Sequence, residues 1–229
     1  MHIPDGFIDI PTSASIGAIA IAGTAIALKK ARTELDDKTA PMAGLTAVFI
    51  FAVQMLNFPV AAGTSGHLLG GALATVLVGP YAASLAVTVV LGVQALLFAD
   101  GGLTALGLNI FNLSIVAVLV SHLAFKALKK LLPKQKSSVP LAAAIAAFIS
   151  VPLSAISFAL QYGIGGTGTA PFSTVFAAMV STHLLIGLGE ALITMFTVSA
   201  ILASRSDLVY GWTTATTSLE VRTHDKTNR

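Results

Sequence analysis

The side chains best suited to chemistry are five histidines, His2, His67, His122, His183 and His224, and one carboxylate, Glu190, set in an apolar stretch. Cysteine is absent, which excludes disulfides, thiolate metal sites and cysteine nucleophiles and leaves metal chemistry to histidine, backbone nitrogen and carboxylate. His2 stands apart, because a histidine following a free amine chelates through three nitrogens: the Met1 amine, the His2 amide once deprotonated, and the His2 ring Nδ1. Fused five- and six-membered rings result. Three coplanar nitrogens suit Ni(II), Cu(II) or low-spin Co(II) and leave one coplanar position open. His67 follows the loop Ala61-Ala62-Gly63-Thr64-Ser65-Gly66 and is the natural fourth nitrogen, provided that it and residue 1 share a side of the membrane.

The remaining candidates read differently. His224 sits in a charged tail and reads as solvated, and His122 as a packing or interfacial residue. His183 and Glu190 are seven apart, hence on one helix face. Ionisable groups inside a membrane are functional candidates, here for a proton-coupled secondary transporter, or else a mutually satisfied structural pair. Gly63-Thr64-Ser65-Gly66 matches the Gly-x-Ser-Gly motif of intramembrane serine proteases, with Ser65 as nucleophile and His183 as base. The wider protease pattern is missing. Neither alternative accounts for the Met1-His2 start.

The elements that must position these residues are membrane spans. Of 229 residues 55% are hydrophobic and 10% charged, with mean hydropathy +0.86, against about 25% charged in soluble domains. All thirteen Lys and Arg fall in three clusters, Lys29 to Lys38, Lys126 to Lys136 and Arg205 to Arg229, which are cytoplasmic by the positive-inside rule. That placement explains the basic balance without nucleic acid. Apolar runs predict seven spans at about 12–28, 41–57, 66–79, 80–99, 104–126, 139–162 and 172–203. Parity supports the division at Gly79-Pro80, where proline ends a helix, and marks 66–79 as a short, protein-buried or re-entrant segment of the kind that lines sites. The fold class is all-α integral membrane: a transmembrane domain over 1–205, a cytoplasmic polar tail over 206–229, the N-terminus outside and the C-terminus inside. Ala14, Ala18 and Ala22 form a small-residue row that suits close helix packing.

The start lacks the basic region of a secretory signal, so Met1 is expected to be retained. No Gly-x-x-x-x-Gly-Lys-Ser/Thr phosphate loop is present, so uphill transport would require an ATPase on another chain.

Three segments carry a resemblance: Met1-His2-Ile3-Pro4-Asp5-Gly6-Phe7, then Gly63-Thr64-Ser65-Gly66-His67-Leu68-Leu69-Gly70-Gly71, then Val93 to Gly107 continuing to Asn109-Ile110-Phe111-Asn112. Together they resemble the CbiM/NikM family, the substrate-binding (S) components of energy-coupling factor (ECF) transporters for cobalt or nickel. The resemblance covers most of residues 1–200. It implies a nearly square-planar site made by the Met1 amine, the His2 amide and ring and the His67 ring. It also implies an N-terminal loop inserted among the helices and a first span added to a six-helix core. The expected partners are a transmembrane coupling (T) subunit, cytoplasmic ATPase (A) subunits and a small accessory membrane subunit, with no cofactor and Ni(II) or Co(II) as cargo. Nickel is favoured by its square-planar preference. A bound histidine needs a partner for its other ring nitrogen, for which Thr64, Ser65, Gln94, Asn109 and Asn112 are candidates. Asp5 and Asp100 are placed to draw cations to the outer mouth.

Overall fold

The computed structural model describes residues 1–37, 39–60 and 65–212. Long apolar runs with few charges form helices because a helix pairs its own backbone polar groups. Five are long and apolar enough to cross a membrane: α1 (Ile10–Ala31), α4 (Pro80–Leu97), α5 (Leu106–Leu131), α6 (Ser138–Gly165) and α7 (Phe172–Ser204). Two are shorter, α2 (Thr39–Gln54) with 16 residues and α3 (Gly71–Val78) with eight. At about 1.5 Å per residue, α3 is too short to cross a membrane by itself. The helical boundaries lie within a few residues of the expected spans, with one exception. Helix was expected from residue 66, but β1 (Phe58–Pro59) pairs with β2 (Ser65–Gly66), and helix begins only at Gly71.

The break at Gly79-Pro80 falls as expected. Gly79 has φ +87°, a conformation that glycine adopts readily, and Pro80 opens α4, where its missing N–H costs nothing. Glu34, just past the end of α1, accepts the Tyr81 and Ala82 N–H groups at 2.9 and 2.8 Å. The first turn of α4 therefore lies beside the α1–α2 connection, and its far end leads to Asp100, next to the N-terminal segment.

The core lies between α3, α4, α5, α6 and α7, with α6 and α7 the most extensive helix pair. Every residue of α3 is buried, whereas α1 buries only Ala20, Ala27 and Ala31 and runs along the outside. Several polar side chains inside this apolar body bond across helices, which holds helices together where water is absent. Asn112 Nδ2 donates to Gln161 Oε1 at 2.9 Å, and Ser84 and Ser114 hydroxyls lie 2.8 Å apart. Residues Ser206–Trp212 fold back on α5: Val209 is buried, and Lys129 Nζ donates to the Gly211 carbonyl. The rest of the expected tail, 213–229 with His224, lies outside the described residues.

Candidate metal centre

Residues 1–9 form an extended segment tucked between helix ends. Asp9 caps α1 by accepting the Thr12 N–H at 2.9 Å, and Pro11 occupies an early helical position where its missing N–H is harmless. From there the chain runs back into the protein. Ile8 bridges Gly166, the Asp9 N–H donates to the Gly165 carbonyl at 2.7 Å, and Phe7 packs on Phe158 and Tyr162 with ring centroids 5.8 and 5.1 Å away. Asp5 Oδ1 accepts both the Thr104 N–H at 2.7 Å and its hydroxyl at 2.5 Å. The Ile3 N–H donates to Asn109 Oδ1 at 2.7 Å, and the Ile3 carbonyl accepts from Gly102 N–H at 2.8 Å.

This fastening buries Met1 and His2, leaving 1% and 4% of their surface exposed, and places them against His67, also 1% exposed. The His2 and His67 rings stack with centroids 4.3 Å apart and planes inclined by 27°. His67 Nδ1–H donates to the Leu68 carbonyl at 2.9 Å, which fixes the tautomer and leaves the Nε2 lone pair free. That Nε2 is buried without a hydrogen-bond partner. His2 Nδ1 lies 2.9 Å from Asp100 Oδ1, and the His2 N–H donates to Ser65 Oγ at 3.3 Å. Two of the three nitrogens expected to chelate are thus engaged with protein oxygens, and a metal would have to displace both contacts. A pocket of about 460 Å3, lined by His2, Pro4, Asn57, Ser65, Asp100 and Gly101 among others, opens beside His2.

Burial lowers the Met1 amine well below its usual range, against an opposing pull from Asp100. Burial also lowers His2, partly offset by the Asp100 contact. Asp100 itself lies below the usual carboxylate range: burial acts to raise it, and the contact with His2 and the neighbouring amine override this. Burial thus eases loss of the proton from both groups beside a carboxylate, an arrangement that favours a cation. Among the described residues no three His, Asp or Glu side chains form a metal cluster.

The expected ring of polar partners is only partly assembled. Ser65 touches the His2 amide and Asn109 holds Ile3. Gln94 is fully buried beside the His2 side chain, on which it acts as a hydrogen-bonding neighbour. Asn112 faces elsewhere, to Gln161 and Ser157 on α6, and Thr64 lies outside the described residues. His183 and Glu190 do not pair: His183 Nδ1–H donates to the Met179 carbonyl at 2.7 Å, while Glu190 accepts the Leu69 and Gly70 N–H groups at 2.6 and 3.0 Å. Nor does a histidine ring hydrogen-bond Ser65 among the described residues, as a serine nucleophile would require. Sequence reasoning placed Asp100 at the mouth but missed its contact with His2. The turn Asp100-Gly101-Gly102 directly after α4 was the available signal.

Residues 2–208 match a family model described as CbiM, cobalt uptake substrate-specific transmembrane region. A protein of Archaeoglobus fulgidus that bears the name of a fused nickel transport protein, NikMN, is 40% identical over 209 residues, covering 91% of this chain and 68% of that protein. The cobalt transport protein CbiM of Sorangium cellulosum is 32% identical over 212 residues, covering 91% and 94%. A crystal structure of a truncated transition metal transporter superposes with a TM-score of 0.81 at 31% identity, covering 89% of this chain and 99% of that one.

Proposed function

Because the chain belongs to the CbiM family, as a multi-pass nickel or cobalt transport component, we propose that it is the substrate-binding subunit of an ATP-driven ECF-type uptake transporter. The cargo is Ni(II) or Co(II), held by the Met1 amine, the His2 amide, the His2 Nδ1 and the His67 ring. The supporting observation is the stack of two buried histidine rings beside a buried, readily deprotonated amine. The free nitrogen of His67 is Nε2, so this is the atom expected to complete the square. Transfer of the metal to the site requires loss of the amide proton and of the Asp100 contact, both compensated by coordination.

The chain crosses the cytoplasmic membrane seven times, with the metal site facing out. The basic residues of α1, the end of α5 and Arg205 share the end where Glu34 caps α4; His2, Asp100 and Gly166 share the other. The segment 66–79 makes its crossing with an extended stretch followed by the eight residues of α3. Energy comes from partners: cytoplasmic ATPase (A) subunits acting through a transmembrane coupling (T) subunit, with a small accessory membrane subunit. This subunit binds and releases its cargo and catalyses no reaction.

The test is nickel and cobalt binding by purified protein with its native start, beside one variant carrying two extra residues before Met1 and a second, His67→Ala. Loss of high-affinity binding in both supports the four-nitrogen site. Full binding by the extended variant removes the amine from it and turns attention to His183.

A further inference from the structure

We propose that Glu190 is a positioning residue for the metal site, a carboxyl group supplied by α7 to hold the unwound chain that carries His67. This rests on His67 being a ligand. Residues 67–70 lie between β2 and α3; apart from the Gly70 carbonyl, which accepts the Ala74 N–H at 3.0 Å, their backbone groups are outside any helix and in a protein interior must be satisfied some other way. Four of these groups are satisfied by side chains, one of them the His67 ring itself. The Leu68 carbonyl accepts from His67 Nδ1–H at 2.9 Å, the Leu69 carbonyl accepts from Gln54 Nε2 at 2.7 Å, and the Leu69 and Gly70 N–H groups both donate to Glu190, at 2.6 and 3.0 Å.

The geometry explains why a carboxylate sits there. The consecutive Leu69 and Gly70 N–H groups converge on one carboxyl group, as in the backbone concavities that bind anions, directly at the N-terminus of α3, where the helix dipole favours negative charge; Gly70 itself has φ +78°. Each Glu190 oxygen takes one N–H. An amide of the same shape would accept one and set its own NH2 against the other. A side chain at residue 70 would also meet Ile50, whose Cγ1 would lie 2.7 Å from an added Cβ. Glu190 is 2% exposed and Gln54 fully buried, so neither has water as an alternative partner.

Glu190 and Gln54 come from α7 and α2, on different helices, and both grip the main chain two or three residues beyond His67. With Leu68, Leu69 and Gly70 fixed and the ring tautomer set by Leu68, His67 Nε2 is aimed before a metal arrives. Groups that orient metal ligands in this way typically contribute 10–100-fold to affinity.

The experiment compares wild type, Glu190→Gln, Gln54→Leu, His67→Ala and the double variant His67→Ala/Glu190→Gln for Ni(II) affinity and for the visible absorption of bound nickel. Glu190→Gln should weaken binding roughly 10- to 100-fold and shift the nickel spectrum to that of His67→Ala, although His67 is still present. Gln54→Leu, with one contact removed, should move in the same direction by less, and it provides the readout if Glu190→Gln yields no folded protein. The double variant should bind no more weakly than His67→Ala alone, because Glu190 acts through His67. Wild-type affinity and spectrum in Glu190→Gln, or additive losses in the double variant, overturn the proposal while leaving the metal site standing. Wild-type binding by His67→Ala would instead overturn the ligand assignment, and this proposal with it.

Discussion

Asn109 grips Ile3 by both of its main-chain groups: Oδ1 accepts the Ile3 N–H at 2.7 Å and Nδ2 donates to the Ile3 carbonyl at 3.2 Å. The contact fixes the residue directly after His2, and Asn109 is 1% exposed. In Asn109→Leu the Ile3 carbonyl keeps its bond from Gly102 N–H, but the Ile3 N–H is stranded, at a cost of about 1–3 kcal/mol. Nickel affinity should fall at least tenfold, because the amine and His2 lose their anchor. Thermal melting of the metal-free protein combined with nickel titration checks this. A lowered melting temperature with unchanged nickel affinity would mean that the segment finds its place without Asn109.

Asp100→Asn sets two effects against each other. The 2.9 Å approach of Asp100 Oδ1 to His2 Nδ1 must be given up when metal binds, and a hydrogen bond to a charged group is worth about 1.5–3 kcal/mol. Against that, a carboxylate about 5 Å from a dication gains several kcal/mol even at an effective dielectric near 20. The charge should win, so Asp100→Asn should bind nickel at least tenfold more weakly by calorimetry. Tighter binding would make Asp100 chiefly a latch on the empty site.

The helices were legible in the sequence because span length is set by the bilayer and the apolar runs are long. The division at Gly79-Pro80 was legible because both residues punctuate backbone locally. The unwound stretch before Gly71 was not, since what allows it is Glu190 and Gln54 on distant helices, and local sequence says nothing of them. The same gap explains His183 and Glu190. Their spacing put them on one face, which is correct for a helix, yet each bonds main chain rather than the other. At the site, the Met1-His2 start and His67 are visible as residue types with a shared chemistry. Asp100 was less visible, because a carboxylate at a helix end is ordinarily solvated. Asn112 shows the converse error: a polar residue near a motif was read toward the site, when its helix turn points it at Gln161.

Acidification should weaken the metal-free protein and the complex in distinct ways. Burial lowers the Met1 amine and His2, so the unfolded chain takes up protons at these groups at a higher pH than the folded one. Their contribution to stability is therefore complete above the unfolded values, about 8 for the amine and 6.5 for histidine, and is lost as pH falls through and below them. Melting temperature should decline over that window. Nickel affinity should also decline, because protons compete for the same nitrogens, but at lower pH than for a free Met-His-Ile peptide, whose amine and ring hold their protons more tightly. Parallel titrations of protein and peptide decide it, and coincident curves would show that burial does nothing to prepare the ligands.

Glu34 performs at the opposite end of the molecule the task that Glu190 performs near His67. It accepts two consecutive N–H groups, Tyr81 and Ala82, at 2.9 and 2.8 Å, at the start of α4. The physics is similar, unpaired N–H donors at the start of a helix met by a carboxyl group from another segment, but Glu34 holds α4 and not the chain that carries His67. Glu34→Ala should therefore cost about 0.5–2 kcal/mol of stability, as loss of a cap does, and leave nickel affinity and spectrum unchanged. Glu190→Gln should do the reverse in proportion, with a large change in the metal readout. If Glu34→Ala weakened nickel binding as much as Glu190→Gln, both effects would have to be assigned to general loosening of the helices rather than to placement of His67.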